Sequence, residues 1–141
     1  MIRIKLFLLS LLLCFSFSCK KTDVGPSPVP WVKVNISIDL SKSPYNALLT
    51  PGGYVYIPGG YKGIVVVSDQ SGKIWALDRT CPYHVNSSCG VVSMSSAGNQ
   101  FTCPCCASTY ALDGSIGHGP STYSLKAYIV SQYVSTLTIT S

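Results

Sequence analysis

Apolar and polar residues alternate along most of this chain. The alternation starts at Trp31, where Trp31-Val32-Lys33-Val34-Asn35-Ile36-Ser37-Ile38 reads as a half-buried strand. The Pro51-Gly52-Gly53 turn and a short strand at Tyr54–Ile57 come next, within an otherwise ambiguous stretch from Ser41 to Pro58. Gly63–Ser68 (GIVVVS) and Lys73–Asp78 (KIWALD) flank a turn at Ser71 and Gly72, which predicts a hairpin. Val91–Met94 and Gln100–Thr102 predict a second hairpin around Ser95–Asn99, and Ser124–Ser131 and Val134–Thr140 predict two closing strands. No segment places apolar residues at helical spacing, and the chain has no internal repeat. The pattern predicts an all-β fold, a small antiparallel sandwich or barrel of eight to ten short strands.

The pattern fails at the N-terminus, in two different ways. Arg3 and Lys5 precede an apolar run from Leu6 to Phe17, the layout of a signal peptide over residues 1–18. That run is short for a membrane-spanning helix. Its end, SFSC followed by Lys20 and Lys21, resembles a bacterial lipoprotein processing site with Cys19 as the lipidated residue, although Ser16 stands where Leu is usual. Thr22–Pro30 (TDVGPSPVP) then lacks apolar periodicity and reads as an extended spacer. The expected organisation is a signal peptide at 1–18, a lipidated N-terminus and Pro-rich linker at 19–30, and one domain at 31–141. Such a protein is exported and held on a membrane by its lipid, at the periplasmic or outer-membrane face.

Ten Lys and Arg against five acidic residues, all Asp, give a mild and scattered positive charge. Nucleic-acid binding calls for clustered basic residues and is excluded as a role. Nothing resembles a catalytic triad, a phosphate-binding loop or a pair of carboxylates, and general acids are scarce. On this reading the chain is at most the electron-transfer component of an oxidoreductase.

The chemistry lies in the cysteines. Of seven, Cys14 leaves with the signal and Cys19 carries lipid, so five remain in an oxidising compartment. They sit in two loops at predicted hairpin ends, Thr80–Gly90 (TCPYHVNSSCG) and Phe101–Tyr110 (FTCPCCASTY). Two loops, each with a cysteine and a second donor a few residues on, are how proteins hold iron and sulfur or zinc. Cys81, His84, Cys103 and Cys106 form such a quartet. An odd number of cysteines cannot all pair: either one is a free thiol, or one disulfide coexists with three cysteine ligands. In the metal-free arrangement, disulfides Cys81–Cys106 and Cys89–Cys105 leave Cys103 spare and make the domain a structural or binding module. A Cys₃His zinc site is the third arrangement.

The second loop also carries a resemblance to a family. CPCCASTY resembles the cluster loop of Rieske-type [2Fe-2S] domains, in which CPCHGS precedes an aromatic residue; Cys103, Pro104, Cys105, Ser108 and Tyr110 match. Asp113–Val130 (DGSIGHGPSTYSLKAYIV) is similar to the family's glycine turn, the Gly-Pro loop that covers the cluster, and its closing strands. The DRTCPY segment and the adjacent cysteines also resemble exported Bacteroidetes-like lipoproteins. The resemblance implies a [2Fe-2S] cluster, with thiolates of Cys81 and Cys103 on one iron and His84 and Cys106 on the other. It implies hydroxyls of Ser108 and Tyr110 directed at cluster sulfur, a disulfide Cys89–Cys105 clamping the loops, and single-electron transfer to a redox protein or complex.

Two departures stand out. Tyr83 occupies the family's histidine position in the first loop, with His84 one residue late. Cys106 replaces the second histidine, which adds negative charge and removes a titratable imidazole. His118, on the covering loop, is an alternative replacement ligand.

Overall fold

Among the described residues the regular structure consists of ten strands, in two antiparallel sheets, and one 3-10 turn at Tyr45–Leu49. The computed structural model describes residues 26–141; the expected signal peptide, Cys19 and the first part of the expected spacer lie outside the described residues. The larger sheet has six strands in the order β1 (Asn35–Asp39), β10 (Thr136–Thr140), β9 (Ala127–Tyr133), β4 (Ile74–Asp78), β3 (Ile64–Ser68) and β2 (Tyr54–Ile57). The smaller sheet runs β5 (Ser93–Met94), β6 (Phe101–Thr102), β7 (Thr109–Tyr110) and β8 (Ile116–His118).

Strand β3 explains why there are two apolar cores. A strand buried on one face alternates, whereas one buried on both faces reads as an unbroken apolar run. All five residues of β3 are buried. Ile64 and Val66 point into a core with Ile38, Leu48, Val55, Tyr128, Leu137 and Ile139. Val65 and Val67 point the other way, into a second core with Leu77, Val92, Phe101, Tyr110, Cys81 and Cys103. The smaller sheet therefore packs through Phe101 and Tyr110 onto the back of β3 and β4, and the cysteine loops belong to that second core.

The β3–β4 connection is built around Asp69. Its Oδ1 accepts from the Ser71 backbone and hydroxyl and from the Lys73 N–H, and its Oδ2 accepts from Trp75 Nε1 at 2.9 Å. An Asp that binds its own turn in this way fixes the hairpin register, and Lys73 Nζ completes the corner 3.7 Å above the Trp75 ring. The Ser71 and Trp75 hydrogen bonds hold the Asp69 carboxyl at about 2, below its ordinary 3.8.

The main hairpins and closing strands fall where the alternation places them, with three differences. The first strand begins at Asn35, four residues after Trp31. Val34 instead bonds Ser141, its N–H donating to Ser141 Oγ at 3.1 Å and its carbonyl accepting from the Ser141 N–H at 3.2 Å. Strands β7 and β8 are too short to show a period. The spacer is not wholly free: Val29 is buried, and Lys126 Nζ donates to the Pro30 carbonyl at 2.9 Å. Trp31, read by its alternation as the start of a half-buried strand, is exposed.

Asp78 joins the two cores. Fully buried at the end of β4, its Oδ1 accepts from the backbone and hydroxyl of Thr80. Its Oδ2 accepts from Tyr61 N–H at 2.6 Å and from the Tyr128 hydroxyl at 2.8 Å. Burial, then this bond to Asp78, raises the Tyr128 phenol above its usual range. One side chain thus ties the approach to β3, strand β9 and the start of the first cysteine loop.

Asp78→Ala leaves buried donors without an acceptor and is expected to lower unfolding stability by about 3 kcal/mol, whereas Tyr128→Phe costs about 1 kcal/mol; urea denaturation measures both. Asp69 gives a pH signature. A depressed carboxylate stabilises the fold above its unfolded pKa, and that stabilisation disappears as pH falls through the folded one. The gap in urea midpoint between wild type and Asp69→Asn should therefore be widest above about pH 4 and shrink towards pH 2.

Candidate metal centre

The first loop leaves the larger sheet at Thr80, which pairs with Val91, and closes where Cys81 N–H meets the Gly90 carbonyl at 2.9 Å. Between them the backbone makes three successive turns, Cys81 to His84, His84 to Ser87 and Ser87 to Gly90. Gly90 is required there, since a Cβ would lie 2.1 Å from the His84 carbonyl oxygen. Cys81 is fully buried at the base of this loop. His84 is half-buried one turn further on and lines a cleft of about 720 Å³ with Pro28, Pro30, Pro82 and Asn86.

The second loop joins β6 to β7. Cys103 N–H donates to the Ser108 carbonyl and Ala107 N–H to the Cys103 carbonyl, both at 2.9 Å, with Ala107 left-handed at φ 57°. This tight turn projects Cys105 and Cys106 towards the first loop. A Cys89–Cys105 disulfide joins the two, with Cα atoms 5.3 Å apart. The segment after β8 closes over the second loop: Ser121 N–H donates to Ser108 Oγ at 3.1 Å. Only glycine fits at 119, because φ is +107° and a Cβ would come within 2.5 Å of Ser108 Cα.

Three thiols meet between the loops. The sulfurs of Cys81, Cys103 and Cys106 all lie within 4.8 Å of one another. Cys81 and Cys106 are 3.8 Å apart and unbonded. This corrects the alternative in which they form a disulfide, since that bond needs a separation of about 2.05 Å. Tyr110 OH sits 3.4 Å from the Cys81 sulfur, and the Cys106 thiol donates to Ser108 Oγ at 3.1 Å.

The surroundings treat the thiols differently. Burial, then the neighbouring Cys81, pushes the Cys103 thiol up to about 12. Burial also opposes ionisation of Cys106, but the hydroxyl and backbone N–H of Ser108 outweigh it and hold that thiol below the ordinary value. Once Cys106 is ionised, Ser108 Oγ, which keeps accepting from Ser121 N–H, can turn its own proton to the Cys106 sulfur. Tyr110 is raised by burial and by its contact with Cys81.

Of the residues singled out by sequence, Cys81, Cys103, Cys106, Ser108 and Tyr110 come together, and Cys89 and Cys105 are bonded. The histidines do not join them. His84 packs edge-on to Tyr83 beside the trio rather than in it, and His118 is exposed on β8 opposite Thr109. Cys19 lies outside the described residues. Three contributors have weaker signals in the sequence. Asp78 and Thr80 flank the start of the first loop, where an acidic residue closing an apolar strand two positions before Thr is the only mark. Ser121 has no signal beyond following Gly119-Pro120.

The Rieske [2Fe-2S] domain profile matches residues 43–129. Comparison with curated proteins gives no significant match. Among solved structures the fold is similar to the cyanobacterial plasma membrane Rieske protein PetC3 from Synechocystis PCC 6803, with 25% identity over 62% of this chain and 85% of that one and a TM-score of 0.51. It is also similar to the ferredoxin of carbazole 1,9a-dioxygenase from Nocardioides aromaticivorans IC177, at 16% identity over 77% and 97% of the two chains, TM-score 0.50. A third similar structure is the quaternary ammonium Rieske monooxygenase CntA, at 22% identity and TM-score 0.54, where the match covers 80% of this chain and 33% of that enzyme. A profile covering most of the chain, on an all-β fold with two cysteine loops joined at their tips, means that this protein belongs to the Rieske [2Fe-2S] domain family.

Proposed function

We propose that this protein is an exported, lipid-anchored one-electron carrier whose redox centre is a [2Fe-2S] cluster. The observation that carries the reading is the meeting of the Cys81, Cys103 and Cys106 sulfurs between the two loops of a Rieske domain. The donor chemistry fits: thiolate is the usual protein ligand for iron in such clusters, and hydroxyls near the sulfurs are a known way to tune them. Cys81, Cys103 and Cys106 would hold the group, with His84 the candidate for the fourth position. When bound, the group supplies a reversible one-electron couple.

The chain's own residues define the rest. The second core keeps water from Cys81 and Cys103, while Cys106 stays partly exposed, so electrons enter and leave on the Cys106 side. With cysteine in place of the second histidine, no imidazole at that position exchanges a proton with the solvent, which favours electron transfer without a coupled proton. The partner is a redox protein or complex that performs the chemistry, and Cys19 supplies the membrane attachment.

One observation favours a second reading. Ligands of the two irons lie at opposite ends of a [2Fe-2S] cluster, yet all three sulfurs here are mutual neighbours. The 3.8 Å between Cys81 and Cys106 equals the edge of a tetrahedron with metal–sulfur bonds of about 2.3 Å, the zinc–thiolate length. A single zinc ion on three cysteines is the alternative occupant.

Anaerobic purification decides between them. The cluster gives a reddish-brown protein with about two irons and two acid-labile sulfides per chain; one zinc without sulfide selects the second reading, and a colourless, metal-free chain with three titratable thiols defeats both. Cys106→Ala should abolish iron binding while leaving the disulfide and the fold intact, read by iron content and circular dichroism together. Full iron retention in that variant would remove Cys106 from the ligand set.

A further inference from the structure

The end of the spacer is built into the fold. Val29 is 4% exposed, Lys126 Nζ holds the Pro30 carbonyl at 2.9 Å, and Pro28 and Pro30 form one wall of the cleft whose other wall is Pro82–Ser87. The tether therefore reaches the domain beside the first cysteine loop. It does not arrive at the far end of the larger sheet, where the β9–β10 hairpin turns at Tyr133 and Val134.

The side chains around that entry suit a lipid headgroup surface. Trp31 directly follows the docked segment and is 69% exposed; Tyr83, on the opposite wall, is 55% exposed. Exposed Trp and Tyr flanked by lysine mark the membrane interface, where an aromatic body and a polar edge are both satisfied. Lys126 and Lys62 bind backbone carbonyls at this same end, on Pro30 and on Ser87 of the first loop, and Lys33 lines a groove with Trp31. Asp39 and Asp69, in contrast, lie at the opposite end of the larger sheet, opposite Thr136 and after Ser68. Nine residues separate Cys19 from Val29, ten chain steps, so the attachment point and the docked segment can be no more than about 36 Å apart.

We propose that the domain sits on the bilayer with its tether, first cysteine loop, Trp31 and Tyr83 towards the phospholipid headgroups, so that the three-thiol centre faces a membrane-resident partner. The proposal rests on lipidation at Cys19 as read above. It also makes the docked tether a positioning element: a flexible linker would let the centre point in any direction, whereas one fixed by Val29 and Lys126 holds a single face towards the membrane.

The test uses the full-length acylated chain in vesicles of phosphatidylethanolamine and phosphatidylglycerol doped with a headgroup spin-labelled lipid. Trp31→Phe leaves only Trp75, and Trp75→Phe leaves only Trp31. The expected result is quenching of Trp31 several-fold stronger than that of Trp75. A third variant carries Tyr133→Trp with both native tryptophans replaced by Phe; its fluorescence should be quenched least. Releasing the tether with Val29→Asp and Lys126→Ala together should bring the Trp31 and Trp75 values together. Equal quenching in the wild-type background, or strongest quenching at position 133, overturns the orientation. Mass spectrometry of the membrane-extracted chain checks the premise separately: absence of a lipid on Cys19 overturns the proposal there, whatever the cluster analysis finds.

Discussion

The buried carboxyl of Asp78 is the constraint on which the rest of this structure depends. Burying an acid without partners is costly, and here the cost is offset by hydrogen bonds from three separate segments. Each bond also sets a position. Tyr61 fixes the entry to β3, Tyr128 fixes β9 against β4, and Thr80 fixes the direction in which the chain leaves for Cys81. The location of the three-thiol site is therefore set just before Cys81. The fold tolerates a short, irregular loop because its base is held from inside the protein.

From that base the two cores divide the work. The one shared by β1, β2, β9 and β10 is ordinary aliphatic packing and carries no chemistry. The other includes two of the three thiols among Phe101, Tyr110, Leu112 and Leu125, so the centre is set into a core rather than laid on a surface. The Cys89–Cys105 bond crosses from loop to loop outside this core and keeps the two tips from drifting apart. Packing below and a covalent link above fix the sulfurs of two loops that otherwise have few regular backbone bonds.

Most of the fold was legible in the sequence because the hairpins obey simple periodicity. GIVVVS and KIWALD flank a turn at Ser71 and Gly72, whereas the burial of β3 on both faces shows only once the second core is in place. The small sheet was harder: β7 and β8 are two and three residues long, and no period can be seen over so few. At the site, the thiols and hydroxyls were legible because their spacing matches a known loop. The histidines were not, since spacing along a chain does not say which way a turn points a ring. The three tight turns of the first loop bury Cys81 and leave His84 at the edge of a cleft. The docking of Val29 was hidden for a different reason. A single apolar residue among prolines has no pattern, and only the surface it meets makes it part of the domain.

Placing thiols in an apolar core has a chemical consequence of its own. A metal binds thiolates, so loading this site would release protons, and Cys103 and Cys106 would not give them up equally. Cys103, pushed up to about 12 by burial, releases its proton only when a cation is there to take its place. Cys106, lowered by Ser108 and partly exposed, ionises before Cys103 and is the one of the three that an incoming metal could meet from outside. Replacing a histidine with cysteine at that position therefore does more than change a ligand. It puts the most exposed of the three thiols at the mouth of the site, held by a hydroxyl that is itself held by the covering loop through Ser121. Assembly of the centre and closure of that loop thus depend on the same oxygen atom.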